Sequence, residues 1–410
     1  MNPVFVHAAD LHLGSKLRKL GNPSNRAELI KEAEKAFDNL IQKTIDVKAE
    51  FLVLSGDIYD KADREASAQI QFVSGLERLI ENDIKVYIVH GNHDPLLHEL
   101  VQVVDLPEGV KVFSPGELEI VQHQLRDGRH VLVAGISFVT PAESENLSLR
   151  FQTIKRGNAC AVIGALHTNL GGAATGHNDY APCKEADLLL SDVDYWALGH
   201  IHKTTITQLK DNRYWAYPGN LQGRDSGEPG AKGALIVPIQ STGVGRPQHV
   251  ALDTFRFAFI TVDCSGMKTL SDISHEISRQ LSVTENTRKL IIRVRLIGRS
   301  EVRSVLDHSE RGTTIHSSIE KLCEKSLNGG HIERLIDNVL PDLDIEQLSQ
   351  NNDLRGDLLQ FVNNLDKSSL TELLGKDAPD SLTDDEIAQT IELMRRDILQ
   401  TLTPDTEDNQ

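Results

Sequence analysis

Along the first 202 residues, short runs of apolar, largely β-branched residues end five times in polar side chains. Residues 4–9 stop at Asp10-Leu11-His12, residues 51–54 at Ser55-Gly56-Asp57-Ile58-Tyr59-Asp60, and residues 84–89 at His90-Gly91-Asn92-His93-Asp94. Residues 160–166 stop at His167, and residues 195–198 at Gly199-His200-Ile201-His202. Runs that are apolar at nearly every position predict strands buried on both faces, as in a sheet covered by helices. Between the first runs, Leu29, Ala33, Ala36, Phe37, Leu40, Ile41 and Ile45 recur at helical spacing and predict an amphipathic helix over 26–47; a second helix is expected over about 65–80. Strand, helix and strand in alternation read as βαβ units, whose ligands gather at the C-terminal ends of the strands.

The texture then changes. Shorter strands at 111–113, 118–122 and 130–136, separated by turn residues, predict antiparallel sheet. The Gly-rich, charged stretch 223–233 reads as a loop, and strands resume over 234–239 and 249–259. A boundary is expected near 257–261, followed by a small α/β unit with a strand to 262, a helix over 270–281 and a strand over 289–296. Past residue 336 the chain turns helical, acidic and leucine-bearing, through Leu358, Leu359, Phe361, Val362, Leu365, Leu370, Leu373 and Leu374 to a helix over 384–402. The expectation is an α/β fold in three parts, 1–257, 258–338 and 339–410.

Charge refines this division. The net charge of −17 opposes a nucleic-acid partner if taken as one number, because phosphate backbones are bound through Lys and Arg. Residues 341–410 carry −12 of it, the first 340 only −5, and residues 201–300 are net +6. An acidic tail and a mildly basic middle suggest two surfaces for two partners. Arg288, Lys289, Arg293, Arg295 and Arg299 supply much of the positive charge, either to contact phosphate or as a solvated strand face. No apolar run reaches bilayer length and no signal segment precedes the first strand, so the expectation is a cytoplasmic protein without a membrane partner. Cys160, Cys183, Cys264 and Cys323 are scattered, which argues against a zinc finger, a redox dithiol or a disulfide framework.

Candidate chemistry sits at the strand ends. Asp-x-His alone reads more readily as a capping Asp with an incidental His than as a ligand pair, and Gly-Asn-His-Asp alone reads equally well as a turn. Gly-His-x-His is more specific, since two imidazoles on one side of an extended segment are expensive to bury unless they bind something. Asp10, His12, Asp57, Asn92, His167, His200 and His202 together offer seven oxygen and nitrogen ligands and no thiolate. That set suits hard to borderline divalent ions. Seven are too many for one ion and suit two ions sharing a carboxylate, the arrangement that clamps both oxygens of a phosphate ester in displacement. His7, His90, His98, His123, His130 and His177 read as ordinary histidines, with His177 notable for its Gly-flanked loop.

In this order, Asp-x-His, Gly-Asp-x-x-Asp, Gly-Asn-His-Asp, a lone His and Gly-His-x-His resemble the calcineurin-like metallophosphoesterase superfamily. Ala9-Asp10-Leu11-His12-Leu13-Gly14 and Gly56-Asp57-Ile58-Tyr59-Asp60 are similar to its SbcD-like nuclease branch. Gly176-His177-Asn178-Asp179-Tyr180-Ala181-Pro182 and residues 195–202 look closest to the YhaO family of DNA repair exonucleases. The resemblance implies a β-sandwich core flanked by helices, a small capping or DNA-binding domain and a C-terminal region that docks a partner. It implies that Asp10, His12, Asp57 and His202 hold one ion and Asp57, Asn92, His167 and His200 the other, manganese first, with iron, zinc or magnesium as alternatives. His93 would meet the phosphate as general acid, a role that suits an imidazole, and Asp94 would orient His93 or His12. The implied function is DNA cleavage in repair, exonucleolytic by family, with an SbcC-like or YhaN-like coiled-coil ATPase as partner and a homodimer as one assembly. Some nucleases of this type carry His where this chain has Asp60, which leaves polarity open.

Two other readings use the same residues. A phosphodiesterase or phosphatase for a small molecule needs the same centre, although the unit after 260 and the basic middle favour a long anionic substrate. A scaffold without turnover is disfavoured by the complete set of ligands together with His93.

Overall fold

The computed structural model describes residues 3–17, 23–60, 66–96, 104–171, 180–282, 288–303, 306, 312–340, 342, 354–364, 369 and 394. Fifteen strands are formed among them. In chain order, β1 (Val4–Ala8), β2 (Phe51–Ser55), β3 (Lys85–Val89) and β4 (Val110–Val112) precede β5 (Glu119–Gln124), β6 (His130–Ile136), β7 (Ala161–His167) and β8 (Tyr195–Gly199). β9 (Thr205–Gln208), β10 (Tyr214–Tyr217), β11 (Gly233–Pro238) and β12 (Gln248–Ala251) follow, then β13 (Phe255–Asp263), β14 (Lys289–Ile297) and β15 (His331–Asp337). Two mixed six-stranded sheets result, in the orders β12-β11-β1-β2-β3-β4 and β5-β6-β7-β8-β10-β9, besides a three-stranded sheet β13-β14-β15.

The apolar runs are continuous because each face of these strands has its own core. Phe5, Phe51, Val53, Tyr87 and Val89 of the first sheet share one buried cluster with Val131, Val133, Ile163, Ala165, Tyr195 and Ala197 of the second. Stacking of Phe5 on Phe51 at 5.0 Å and the edge of Tyr195 against Phe5 at 5.3 Å lie inside that layer. The alternate residues Val6, Ala8, Leu52, Leu54, Val86 and Ile88 face the other way. They pack on α1 (Pro23–Asp46) through Ala36, Phe37, Leu40 and Ile41, and on α2 (Ala66–Glu81) through Phe72, Leu76 and Leu79. The far face of the second sheet, with Ala134, Ile136, Val162, Leu166, Trp196 and Leu198, is covered by the 3-10 turn Leu147–Thr153 and the short helix Glu185–Leu188.

Register places the chemistry. Parallel pairing sets Leu54 beside Ile88 and Ser55 beside Val89, so the residues that follow β2 and β3 emerge together. On the second sheet His167 pairs with Gly199. The sheets approach each other closely here: Ser55 Oγ donates to the Ala197 carbonyl at 2.9 Å.

Several expectations change. The strand near 111–113 joins β3 in parallel; antiparallel pairing holds for β5 with β6, while β6, β7, β8 and β10 run parallel. The strand expected over 249–259 is two strands, broken around Asp253, whose buried carboxylate accepts from Lys232 N and pairs with Arg256 and Arg288. β9 escaped prediction because its four residues are only half-buried or exposed. Residues 365–368, 370–374 and 384–393, and His98 and His177, lie outside the described residues, as do residues 176–179 of the Gly176–Pro182 motif. Of the expected C-terminal helices, Leu354–Asn363 is described.

Two compact units divide the chain, Met1–Ala258 with Arg288–Ile291 and Phe259–Thr287 with Ile292–Gln410. In the second, helices Leu270–Ser282 and Gly312–Cys323 pack on one another. Its basic strand is partly neutralised: Arg293 forms a two-point pair with Glu333 at 2.8 and 3.2 Å, and Arg295 lies over the Phe259 ring at 5.1 Å. In the first unit Lys289 pairs with Glu28 at 2.7 Å. No described helix is long and apolar enough to cross a membrane.

Gly199 is where a side chain is least tolerable, since a Cβ there would lie 1.8 Å from the Ser55 carbonyl oxygen. Gly199→Ala should destabilise the fold by on the order of 3 kcal/mol through overpacking, seen as a lowered midpoint in denaturant unfolding. An unchanged midpoint would contradict the close approach of the sheets.

Candidate metal centre

Each sequence-predicted site residue lies at or just beyond a strand end. Asp10 and His12 follow β1, Asp57 follows β2, Asn92, His93 and Asp94 follow β3, His167 ends β7, and His200 and His202 follow β8. The backbone there is unusual. Asp10, His12, Asp57 and His200 have φ of 52°, 45°, 51° and 109°. Such conformations are sparsely populated by non-glycine residues, cost about 1–3 kcal/mol each and cluster at functional sites. Asp10 and His12 are therefore presented by left-handed turns and not by the alternation of an extended strand. These are tied to the next strand end by Asp10 N donating to Gly56 O and His12 N to Asp57 O, both at 3.0 Å.

Among the described residues, three groups have ligand atoms all within 4.8 Å of one another: Asp10, His12 and His202; Asp10, Asp57 and His167; and His12, Asp60 and His93. Asn92 joins the second, its Oδ1 lying 3.0 Å from His167 Nε2. The two histidines of Gly-His-x-His, which the resemblance assigns to different ions, stand beside different partners. The His202 ring meets His12, Nε2 to Nε2 at 3.1 Å, whereas the His200 ring stands edge-on to His167 at 5.3 Å and to Tyr180 at 5.6 Å. The backbone N–H of His200 donates to both Asp10 carboxylate oxygens at 3.1 Å, so the turn after β8 clasps the turn after β1.

Hydrogen bonds on the far sides of the rings decide what the near sides offer. His167 Nδ1 lies 3.0 Å from the Ser55 carbonyl, which only accepts, so the proton is on Nδ1 and Nε2 carries a lone pair. That lone pair faces Asn92 Oδ1 at 3.0 Å and Asp57 Oδ2 at 3.6 Å, both acceptors. His202 Nδ1 lies 2.5 Å from Glu228 Oε1, which likewise leaves Nε2 bare toward His12. Acceptors turned toward acceptors in a buried site repel unless a cation lies among them, so the donor set fits divalent metal. His93 is arranged differently: its Nδ1 donates to the Asp60 carbonyl at 2.7 Å and its backbone N–H to Asp57 Oδ1 at 3.0 Å.

Burial, with the charge of the neighbouring Asp57, holds the Asp10 carboxyl well above its ordinary value, and burial pushes Asp57 up to about 7. Burial pushes His167 down to about 4 and holds His12 well below the usual imidazole range, with Arg224 adding to the effect on His12. The metal-free site is thus two carboxyls that resist ionising among imidazoles that resist protonation.

Asp94 also supports the neighbouring backbone. Its described hydrogen bonds come from the backbone N–H of Ile58 at 2.9 Å and of Gly91 at 3.0 Å, and His90 Nδ1 lies 3.0 Å away. It braces the turns that carry Asp57 and Asn92. His90 is thereby more than an incidental histidine, whereas His7 is a buried one bonded to Tyr195 and Ser55 and pushed down to about 3.

Sequence reasoning missed Glu228, Arg224 and Lys232, all in the stretch taken as a loop. Glu228 accepts from His202, from Asn220 Nδ2 at 2.7 Å and from Arg224 N at 2.7 Å, and is held down at about 2. Lys232 is buried and donates to the His202 carbonyl at 2.8 Å. The only signal available was several charges within a Gly-rich stretch that follows the last ligand. The site opens into a cleft of about 610 Å³ lined by Asp57, Asn92, His93, Tyr180, His200 and Lys203 among others.

Two mixed sheets flanked by helices, with acids and histidines gathered at their strand ends, match a metallophosphoesterase fold. Residues 3–204 match the calcineurin-like phosphoesterase family, and the chain carries a domain of that family, whose members depend on a dinuclear metal centre. A Bacillus subtilis protein named uncharacterized metallophosphoesterase YhaO is 36% identical over 238 residues, 57% of this chain and 57% of its own length. The DNA double-strand break repair protein Mre11 of Methanocaldococcus jannaschii is 24% identical over 67% of this chain and 73% of its own. That of Sulfurisphaera tokodaii is 23% identical over 74% of this chain and 75% of its own. The chain thus spans little more than half the length of the YhaO relative. A crystal structure of a dimetal phosphatase from Danio rerio aligns over 61% of this chain and 99% of its own at 12% identity, with a TM-score of 0.33 that bears no weight.

Two outcomes follow from this geometry. Glu228→Gln should weaken metal affinity about 10- to 100-fold by releasing the His202 ring, measured by titration calorimetry; unchanged affinity would remove Glu228 from the centre. Because Asp57 is raised from 3.8 to about 7, this one carboxyl binds its proton more tightly in the folded chain, and its contribution to stability is lost as pH rises through that window. His7 and His167, lowered to about 3 and 4, contribute in the opposite sense. Metal binding should release protons and tighten through the same window. Calorimetry in buffers of different ionisation enthalpy reads the release directly, and an observed heat independent of buffer would refute it.

Proposed function

We propose that this chain is a dinuclear-metal-dependent DNA nuclease that hydrolyses phosphodiester bonds in repair. The observation that carries the reading is the convergence of bare acceptors: His167 Nε2 toward Asn92 Oδ1 and Asp57, and His202 Nε2 toward His12. In this reading Asp10, His12, Asp57 and His202 hold one ion, and Asp57, Asn92, His167 and His200 the other. When bound, two divalent ions, with manganese as the leading choice, supply the charge that activates water and neutralises the phosphate.

The remaining chemistry belongs to the side chains. His93, held through Nδ1 by the Asp60 carbonyl, keeps Nε2 for the phosphate and, once Nε2 has taken a proton from solvent, passes that proton to the leaving oxygen and returns to the neutral ring. Glu228 fixes the tautomer of His202, and Ser55 that of His167. Asp94 keeps the turns after β2 and β3 in register with one another. DNA as substrate is supported by the names of the archaeal relatives and by the breadth of the cleft, whose rim carries Lys203. The reading includes a coiled-coil ATPase as partner of the acidic C-terminal region and a cytoplasmic setting.

The test is manganese-dependent degradation of labelled single- and double-stranded DNA at low salt. His93→Gln should lower the rate about 10²- to 10⁴-fold, the usual worth of general acid catalysis, with metal content unchanged. Retained activity in that variant would sink the acid assignment. Intact DNA beside rapid hydrolysis of a small phosphodiester would replace the nuclease reading with a small-molecule phosphodiesterase.

A further inference from the structure

The rings of His167, His202 and His93 each have a partner on the side away from the centre: the Ser55 carbonyl, the Glu228 carboxylate and the Asp60 carbonyl. His12 differs. Its side chain is 2% exposed, its Nε2 faces His202 Nε2 at 3.1 Å, and its Nδ1 is buried without a hydrogen bond among the described residues. A neutral imidazole that offers Nε2 as a ligand carries its proton on Nδ1, and a buried N–H left unpaired is destabilising. Asp60 Oδ1 lies 3.4 Å from that nitrogen. An approach of about 0.3 Å brings such a pair into the ordinary hydrogen-bond range.

Asp60 is fixed on its other sides. Its backbone N–H donates to the Leu13 carbonyl at 3.1 Å, one residue past His12, and its own carbonyl accepts from His93 Nδ1 at 2.7 Å. Arg224 Nη2 donates to Oδ1 at 2.7 Å, and the Arg224 backbone N–H donates to Glu228 Oε2 at 2.7 Å. Glu228 is also the residue that holds His202. A continuous path thus runs from His202 through Glu228, Arg224 and Asp60 to His12, the two imidazoles assigned to one ion. Two other uses of the carboxylate fit less well. A further ion among His12, Asp60 and His93 would stand beside the Arg224 guanidinium, cation against cation. As an ion pair for stability alone, Asp60 and Arg224 are 19% and 26% exposed, and such pairs contribute little.

We propose that Asp60 is a positioning residue whose carboxylate, steered by Arg224, accepts from His12 Nδ1 and aims Nε2 of that ring at the ion shared with His202, while its carbonyl aims His93. One residue thereby joins a metal ligand to the general acid, at the position where some nucleases of this type carry histidine. The assignment rests on the proposed ligand set and not on the choice of substrate.

The experiment is calorimetric titration of the metal-free full-length chain with manganese(II), followed by electron paramagnetic resonance of the loaded protein. The wild-type chain should take up a pair of ions and give the signal of coupled manganese. Asp60→Ala should weaken the ion held by His12 and His202 about 10- to 100-fold, the usual loss when the outer partner of a ligand is removed, and leave the other within about threefold. The signal of isolated manganese should then persist at concentrations that pair the ions in the wild type. Asp60→Asn, which keeps an acceptor oxygen for His12, should recover most of the loss, and Arg224→Gln should lose less than Asp60→Ala. Equal weakening of both ions, a loss in Asp60→Asn as deep as in Asp60→Ala, or unchanged affinity in Asp60→Ala would overturn the assignment. A wild-type chain that binds no pair of ions would overturn the ligand set with it, whereas intact DNA beside this pattern of affinities would remove the nuclease reading and leave Asp60 in place.

Discussion

The end of β2 at Ser55 is the point on which the rest of the structure depends. Its hydroxyl donates across the sandwich to the Ala197 carbonyl, and its own carbonyl accepts from His167. The same carbonyl is so close to Gly199 that any side chain there would collide with it. Strands from both sheets therefore finish within a few ångströms of one another, and the turns that follow them face a common space. Asp57 enters that space two residues beyond Ser55, and His200 one residue beyond Gly199. A sandwich with its sheets farther apart would carry the same residues on separate surfaces.

Within that space the protein holds groups in states they would not choose in water. Two carboxyls are pushed toward neutrality, two imidazoles away from protonation, and four residues are bent into left-handed backbone. The compensation comes from hydrogen bonds on the outward sides, from Ser55 to His167, Glu228 to His202, Asp60 to His93 and Asp94 to the turn backbones. These bonds fix which nitrogen of each ring is bare before any ligand arrives. Preorganisation of this kind lets a metal centre act without reorganising its surroundings.

How much of this was legible in the sequence varied with the range of the interaction. The strands β1, β2, β3, β6 and β7 and the helices α1 and α2 emerge within a residue or a few of expectation, because apolar periodicity is a local signal. The parallel pairing of β4 with β3 was not legible, since three half-buried residues say nothing about their neighbour. The clustering of Asp10, Asp57, Asn92, His167 and His202 was visible as a repeated motif at strand ends. Their division came from the family resemblance and not from the spacing: His200 and His202 look alike in sequence, and in the fold their rings stand beside different partners.

What the sequence by itself determined was the kind of chemistry: oxygen and nitrogen ligands without thiolate, placed where buried strands terminate, with His93 beside Asn92. Tertiary structure alone decided which atoms face one another and which residues support them. Glu228 lies 26 residues beyond His202 and Arg224 164 residues beyond Asp60, each pair joined through a loop whose composition gives no hint of direction. The physical reason is that a strand announces itself by its own side chains, whereas the proton on an imidazole is set by whatever the fold brings to its far side.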